Sequence, residues 1–159
     1  MTSTDLQTLL TEIYTERVLL LMRHEASATV MGDYDINNTY QYVLSREETH
    51  VSWLHHAIVD VGGRTPPDPA RPLLPERVKV REVSAEDARL NQAFVDKWRP
   101  RVEAMTQARH KALLEVVLGE MLEHKRFFEQ AADGRSDLLG LPMAIHPRVG
   151  QVLGKRWVE

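Results

Sequence analysis

With 159 residues and 43% hydrophobic content, the chain is long enough for one domain with its own core and too short for two. It contains no cysteine, which excludes disulfides, thiolate catalysis and cysteine-rich metal sites, so any bound metal must be held by carboxylates and imidazoles. A formal net charge of −3 predicts neither a nucleic acid nor an anionic membrane as partner, and the lack of an apolar stretch of about 20 residues or of a signal-like N-terminus predicts a cytoplasmic protein.

Two long helices are predicted in the first 61 residues. Apolar residues recur at helical spacing over residues 4–31, and the turn at Gly32 and Asp33 ends that pattern. The same spacing returns over residues 34–61, followed by Gly62 and Gly63 as a helix stop. Because the link between them is short, we expect the two helices to be antiparallel neighbours.

A proline-rich connection separates this pair from two further helices. Five prolines between residues 63 and 83 exclude a continuous helix and predict an extended crossover along the bundle. A third helix is predicted over residues 84–98, a break at Pro100, and a fourth helix over residues 101–132. Residues 135–159 read as an irregular C-terminal arm. The sequence therefore predicts a single all-α domain, an antiparallel four-helix bundle.

Polar residues interrupt the apolar faces of two of these helices. At about 100° per residue, Glu47 and His50 fall on the apolar stripe of the second helix, and Glu120 and His124 bracket that of the fourth. Burying a carboxylate beside an imidazole is costly unless a metal, a hydrogen bond or a counter-charge compensates. Each pair is therefore interpreted as half of a buried polar centre.

The motif Glu47-Glu48-Thr49-His50 and the segment of residues 122–128 are similar to the ferritin-like superfamily, the four-helix bundles of ferritin, bacterioferritin and rubrerythrin. The likeness extends over roughly residues 5–132. It implies a long crossover after the second helix and a non-haem iron or manganese centre, of one or two ions, that acts on dioxygen, peroxide or ferrous iron as an oxidoreductase. The metal ligands that it implies are Glu47, Glu120, His50 and His124, completed by Glu16 or His24.

Some positions depart from the ferritin-like pattern. Met121 stands where the family has a glutamate three residues before His124. In the first helix the expected ligand position falls close to Tyr14, while in the third helix Asp87 is the acid nearest the buried side. A complete six-ligand centre for two metal ions is therefore not predicted.

Two arginines support an alternative without a metal. Arg17 faces inward on the first helix and Arg109 lies near the buried edge of the fourth, so either can neutralise Glu47 or Glu120. In this alternative the protein is a non-catalytic dimeric scaffold or stress-related protein with a buried network of Glu, His and Arg. A third alternative is an enzyme that uses the same His and Glu residues for acid–base chemistry on a small organic ligand.

Apolar residues outside the core stripe of the first helix predict self-association. Val18, Leu19 and Met22 widen its hydrophobic surface beyond what one chain is expected to cover. We therefore expect a homodimer.

Overall fold

The computed structural model describes residues 2–135 and 138–139. Over these residues the chain forms four α-helices and no strand: α1 (Ser3–Thr29), α2 (Tyr34–Asp60), α3 (Val80–Glu103) and α4 (Ala108–Ala132). None of these helices has the length and apolar content that crossing a bilayer requires.

The ends of α1 and α2 follow from local sequence. Thr2 and Asp5 form a reciprocal capping box at the start of α1, and the Asp33 side chain accepts from the Ile36 N–H at the start of α2. Helix α2 ends in a Schellman-type turn, in which the Gly63 N–H donates to the Ile58 carbonyl and Gly62 takes a φ of +78°. The predicted stop at the two glycines corresponds to this turn.

Helix α3 differs from its prediction at both ends. It begins at Val80 and not at residue 84, and it continues through Pro100 to Glu103, so the predicted break at Pro100 is wrong. Proline removes one N–H donor near the end of the helix, while Trp98 and Val102 on either side are both buried in the core and hold the helical path. The break lies instead at residues 104–107.

The helices pack as a four-helix bundle, as predicted. Helix α1 contacts α2 and α3, and α4 contacts the same two helices. Because Arg23 near the end of α1 contacts Asp87 near the start of α3, and Glu12 contacts Arg101 near its end, α1 and α3 are antiparallel. The pair of Asp60 and Arg109 places the end of α2 beside the start of α4.

Two apolar clusters fill the interior, and a polar layer separates them along the bundle. One cluster surrounds Leu10, Leu54 and Trp98, and the other surrounds Tyr40 and Phe128. Between them along the helices lie fully buried polar side chains, among them Arg17, His24, Glu47, His50, Asn91 and His124. The interior therefore consists of two apolar clusters with a buried polar layer between them.

Residues 61–79 link α2 to α3 outside any helix. Within this link, the Arg71 guanidinium donates to Glu25 of α1 at 3.0 Å, and Leu74 and Val78 pack against the Tyr40 cluster. The predicted C-terminal arm falls largely outside the described residues, although Leu138 is buried against the same cluster.

Two glycines provide a test of these helix assignments. Gly119 lies inside α4 with nothing within 4 Å of the position a Cβ would take, so Gly119→Ala is expected to raise the free energy of unfolding by about 1 kcal/mol. Gly62→Ala is the matched control, because its φ of +78° makes the same change cost about 1–2 kcal/mol. Urea unfolding measures both, and a loss of stability in Gly119→Ala would contradict the placement of Gly119.

Candidate polar centre

Arg17 occupies the middle of the polar layer. Its side chain is fully buried, and one terminal nitrogen lies 3.2 Å from Glu47 Oε1 and 3.3 Å from His50 Nδ1. The guanidinium therefore contacts both polar residues of the Glu47 and His50 motif. A buried cation at this position supplies the counter-charge that Glu47 needs.

Glu47 is the buried anion that Arg17 neutralises. The same Oε1 atom also accepts from His24 Nδ1 at 2.6 Å, whereas Oε2 has no hydrogen-bond partner among the described residues. Burial by itself raises the pKa of the Glu47 carboxyl, but the neighbouring His24 and Arg17 outweigh burial and lower that pKa to about 2. Glu47 is thus ionised at neutral pH.

His50 connects the centre to the surface of the α2 and α4 pair. Because a guanidinium can only donate, Arg17 requires His50 Nδ1 to be the acceptor, so the proton sits on Nε2 and is donated to Glu120 Oε2 at 2.7 Å. Glu120 is also held by a bidentate contact from Arg46, at 2.8 and 3.0 Å. Burial, followed by the charge of Arg17, lowers the pKa of His50 to about 4.

A second buried carboxylate lies on the opposite side of the centre. Asp87 accepts from Arg23 Nε at 3.0 Å and from the Tyr40 hydroxyl at 2.6 Å, and Tyr40 is also 3.3 Å from Ser84 Oγ. Burial and then the charge of Asp87 raise the pKa of Tyr40, so its hydroxyl stays protonated. His24 Nε2 is 3.9 Å from Asp87 Oδ1, which places this cluster next to the Glu47 site.

His124 lies in the centre without a hydrogen bond. Both of its ring nitrogens are buried and have no partner within the described part of the chain, and its ring stacks against that of His50 with centroids 6.1 Å apart. Burial is the main reason that the pKa of His124 falls to about 3, so the ring is neutral at pH 7. Asn91 donates to the Met121 carbonyl at 3.1 Å, and its own side-chain oxygen is buried with no hydrogen-bond partner among the described residues.

Five of the six predicted site residues meet in this layer. Their contacts link Glu47 to His24 and to Arg17, Arg17 to His50, and His50 to Glu120, while the His124 ring stacks on His50. The sixth, Glu16, is elsewhere: it accepts from Trp98 Nε1 at 2.9 Å and contacts Lys97 on the surface of the α1 and α3 pair. The partners of Glu16 therefore hold it away from the layer, whereas His24, the alternative to Glu16 in the predicted ligand set, contacts Glu47.

Other predicted neighbours of the centre also have defined positions. Arg109 was expected to neutralise Glu47 or Glu120, but it is 81% exposed and pairs with Asp60. Met121 is fully buried in the apolar cluster around Leu10. Arg46 and Asn91 were not identified in the sequence, and the only indication of Asn91 was its position on the buried face of α3.

The donor set does not match a centre for two metal ions. No group of three or more His, Asp or Glu side chains in residues 2–135 and 138–139 is arranged to hold one ion. Arg17 lies between Glu47 and His50, where an ion shared by these two residues would meet a positive charge. The residues present therefore fit an ion-pair network better than a metal centre.

Comparisons with protein-family models and with curated proteins gave no match for this chain. The likeness to the ferritin-like superfamily consequently depends on the motif and the helical pattern alone.

Removing Arg17 tests the network directly. Arg17→Met leaves Glu47 buried without its counter-charge, so we expect a loss of about 3–5 kcal/mol in the free energy of unfolding. The double variant Arg17→Met with Glu47→Leu removes both charges and is expected to regain at least about half of that loss. Chemical denaturation measures the free energy of unfolding of the unmodified protein, the single variant and the double variant.

Arg109→Met is the control for this experiment. Arg109 also pairs with a carboxylate, but it is 81% exposed, so its removal should change stability by no more than about 1 kcal/mol. Equal losses for Arg17→Met and Arg109→Met would contradict a central role for Arg17.

The neutral histidines make stability depend on pH. In the unfolded chain His50 and His124 take up protons near the ordinary histidine value of 6.5, whereas in the folded protein their pKa values are about 4 and about 3. Unfolding between about pH 6 and pH 4 therefore binds about two extra protons, and stability falls by up to about 2.7 kcal/mol per pH unit as the pH decreases. The low pKa of Glu47 extends the loss toward pH 2.

Denaturation midpoints between pH 7 and pH 4 measure this slope. His124→Gln should reduce it by about half, because one of the two proton-binding groups is removed. His56→Gln, on the exposed surface of α2, is the control that should leave the slope unchanged. A His124→Gln slope equal to that of the unmodified protein would contradict a neutral, buried His124.

Proposed function

We propose that this protein is a ferritin-like four-helix bundle whose centre is held by its own charges without a metal, and that it serves as a non-catalytic, dimeric scaffold or stress-related protein. The observation that carries the proposal is the pairing of charges in and around the polar layer. Each carboxylate that reaches it is neutralised by an arginine: Glu47 by Arg17, Asp87 by Arg23 and Glu120 by Arg46. With His50 and His124 neutral, these three pairs leave the layer no excess negative charge for a cation to balance.

The ferritin-like assignment has support from the path of the chain. Helix α3 begins beside the end of α1, although it follows the far end of α2, so residues 61–79 must return along the bundle. The contact between Arg71 and Glu25 lies on that return path. A long crossover after the second helix, together with a motif such as that of Glu47 and His50, belongs to the superfamily pattern, so this path supports the proposal.

One observation favours the alternative, a non-haem iron or manganese protein that oxidises with dioxygen or peroxide or acts on ferrous iron. Glu47 Oε2, His24 Nε2 and both His124 nitrogens are buried without hydrogen-bond partners in the described residues, and unpaired buried acceptors are costly. Carboxylate oxygen and neutral imidazole are donors that such metals accept. Arg17 contacts both Glu47 and His50, so an ion bound by these two residues would lie close to a positive charge, and this arrangement indicates no reaction step.

The remaining sequence predictions belong to the same proposal. The cytoplasmic location and the lack of nucleic-acid or membrane partners remain predictions from composition. Homodimerisation also remains a prediction, now with a smaller apolar surface than expected: Val18 is covered by its own chain, while Leu19 is 38% exposed. Sedimentation equilibrium on the full chain measures the oligomeric state.

Metal analysis decides between the two functions. We expect plasma mass spectrometry to find less than about a tenth of an iron or manganese ion per chain, in protein purified without metal-affinity resin and again after anaerobic incubation with ferrous iron, because the network is already neutral. Near-stoichiometric metal would overturn the metal-free proposal.

The double variant Glu47→Ala with His50→Ala separates a specific site from adventitious binding. Metal that this variant loses belongs to the centre, whereas metal that it keeps is bound elsewhere, for example at the exposed His55 and His56. In the metal-free protein the same variant changes stability and leaves the metal content at background.

A further inference from the structure

Polar side chains follow one another across the bundle. Their path begins at Arg46 and Glu120 on the surface of α2 and α4 and passes from Glu120 to His50 at 2.7 Å and from His50 to Arg17 at 3.3 Å. It thus joins the surface to the buried centre through charged or hydrogen-bonded groups only.

From the centre the path continues to the opposite pair of helices. Arg17 contacts Glu47 at 3.2 Å, Glu47 contacts His24 at 2.6 Å, and the His24 ring lies 3.9 Å from the buried Asp87. Asp87 pairs in turn with Arg23, which is partly exposed on the surface of α1 and α3. Only this step between His24 and Asp87 exceeds hydrogen-bond distance.

Shared atoms make the orientation of each group depend on the next. One Arg17 nitrogen contacts both His50 and Glu47, and one Glu47 oxygen accepts from His24 and forms the ion pair with Arg17. Both His50 nitrogens are committed, one to Arg17 and the other to Glu120. If Glu120 no longer accepts from His50, we expect the His50 ring to be less firmly oriented toward Arg17. The contact between Arg17 and Glu47 should then weaken as well.

The two ends of the path are accessible to solvent, and its middle is not. The side chains of Arg46, Glu120 and Arg23 are 32%, 23% and 19% exposed, whereas those of Arg17 and Glu47 are fully buried. Low polarity around the buried members strengthens the electrostatic interaction between neighbours. A change at one surface is therefore transmitted through groups that water does not screen.

We infer that this path is a coupling device, in which the state of the Arg46 and Glu120 pair on one face of the bundle sets the strength of the Arg23 and Asp87 pair on the other. The inference depends on the proposed metal-free centre, because Arg17 is the link at its middle. It adds to that proposal a reason for the polar layer, namely communication between two pairs of helices.

A double-mutant cycle tests the coupling. Glu120→Gln and Asp87→Asn each remove one charge at opposite ends of the path, and the unfolding equilibrium constant is measured by urea denaturation for the single and double variants. Each single variant raises that constant by some factor. We expect the factor for the double variant to be at least about fivefold smaller than the product of the two single factors. If Asp87→Asn fails to fold, Tyr40→Phe replaces it, since Tyr40 donates to Asp87 at 2.6 Å.

Glu16→Gln combined with Asp87→Asn is the matched control. Glu16 is also a partly exposed carboxylate with two partners, Lys97 and Trp98, but it lies outside the path, so its effect should multiply with that of Asp87→Asn. If the two single effects multiply in both cycles, the coupling is overturned. It is also overturned if the double variant falls short of the product of the single effects by the same factor in both cycles.

Metal content measured on the same samples keeps the two proposals separate. Metal that the unmodified protein holds and the Glu47→Ala with His50→Ala variant loses overturns the metal-free centre and the coupling inference together, because the inference depends on Arg17 as the link at that centre. A metal-free protein with multiplicative effects in the Glu120 and Asp87 cycle overturns the coupling alone.

Discussion

The buried guanidinium of Arg17 is the constraint that organises the polar layer. An arginine cannot become neutral on burial, so the chain has to provide an anion and further acceptors around it. Glu47 supplies the anion and His50 an acceptor nitrogen, and both lie on α2, the helix next to α1. Because Arg17 only donates, it also fixes which His50 nitrogen carries the proton, and that proton then selects Glu120 on α4 as its acceptor. One side chain on α1 thus determines how α2 and α4 are aligned at the level of the centre.

The two apolar clusters and the polar layer contribute differently to the fold. Leu10, Leu54 and Trp98 in one cluster, and Phe128 in the other, remove large hydrophobic surfaces from water, which is the main favourable term in folding. An ion pair taken out of water contributes little net stability, and apolar residues of the same volume are often at least as stabilising. We expect the layer to add specificity, because apolar contacts are less directional than the short contacts of Glu47 with His24 and Arg17.

The helices and the inward position of the Glu47 and His50 motif could be predicted because both depend on local periodicity. Pro100 could not be interpreted correctly in this way, since whether a helix ends at a proline depends on the packing of Trp98 and Val102 on either side of it. Partner choice was also beyond the sequence: Glu16 and Glu120 both lie near an apolar stripe, but one pairs with Lys97 and the other with Arg46. Long charged side chains reach across helices, so their partners are set by tertiary packing and not by spacing along one helix.

The same electrostatics bears on whether the Glu47 and His50 motif suits a metal ion. A ferritin-like centre for two metal ions draws a carboxylate from each of four helices, whereas here Met121 takes one of those positions and Arg17 brings a positive charge into the layer. A divalent ion about 4 Å from a guanidinium would experience a repulsion of about 8 kcal/mol at an effective dielectric constant of about 20. Glu47, the carboxylate that contacts Arg17, would have to offset that repulsion while one of its oxygens already accepts from His24 and forms the ion pair with Arg17. Under the proposed metal-free centre, Glu47 Oε2, His24 Nε2 and the two His124 ring nitrogens, which have no hydrogen-bond partner in the described residues, do not outweigh the counter-charge that Arg17 supplies.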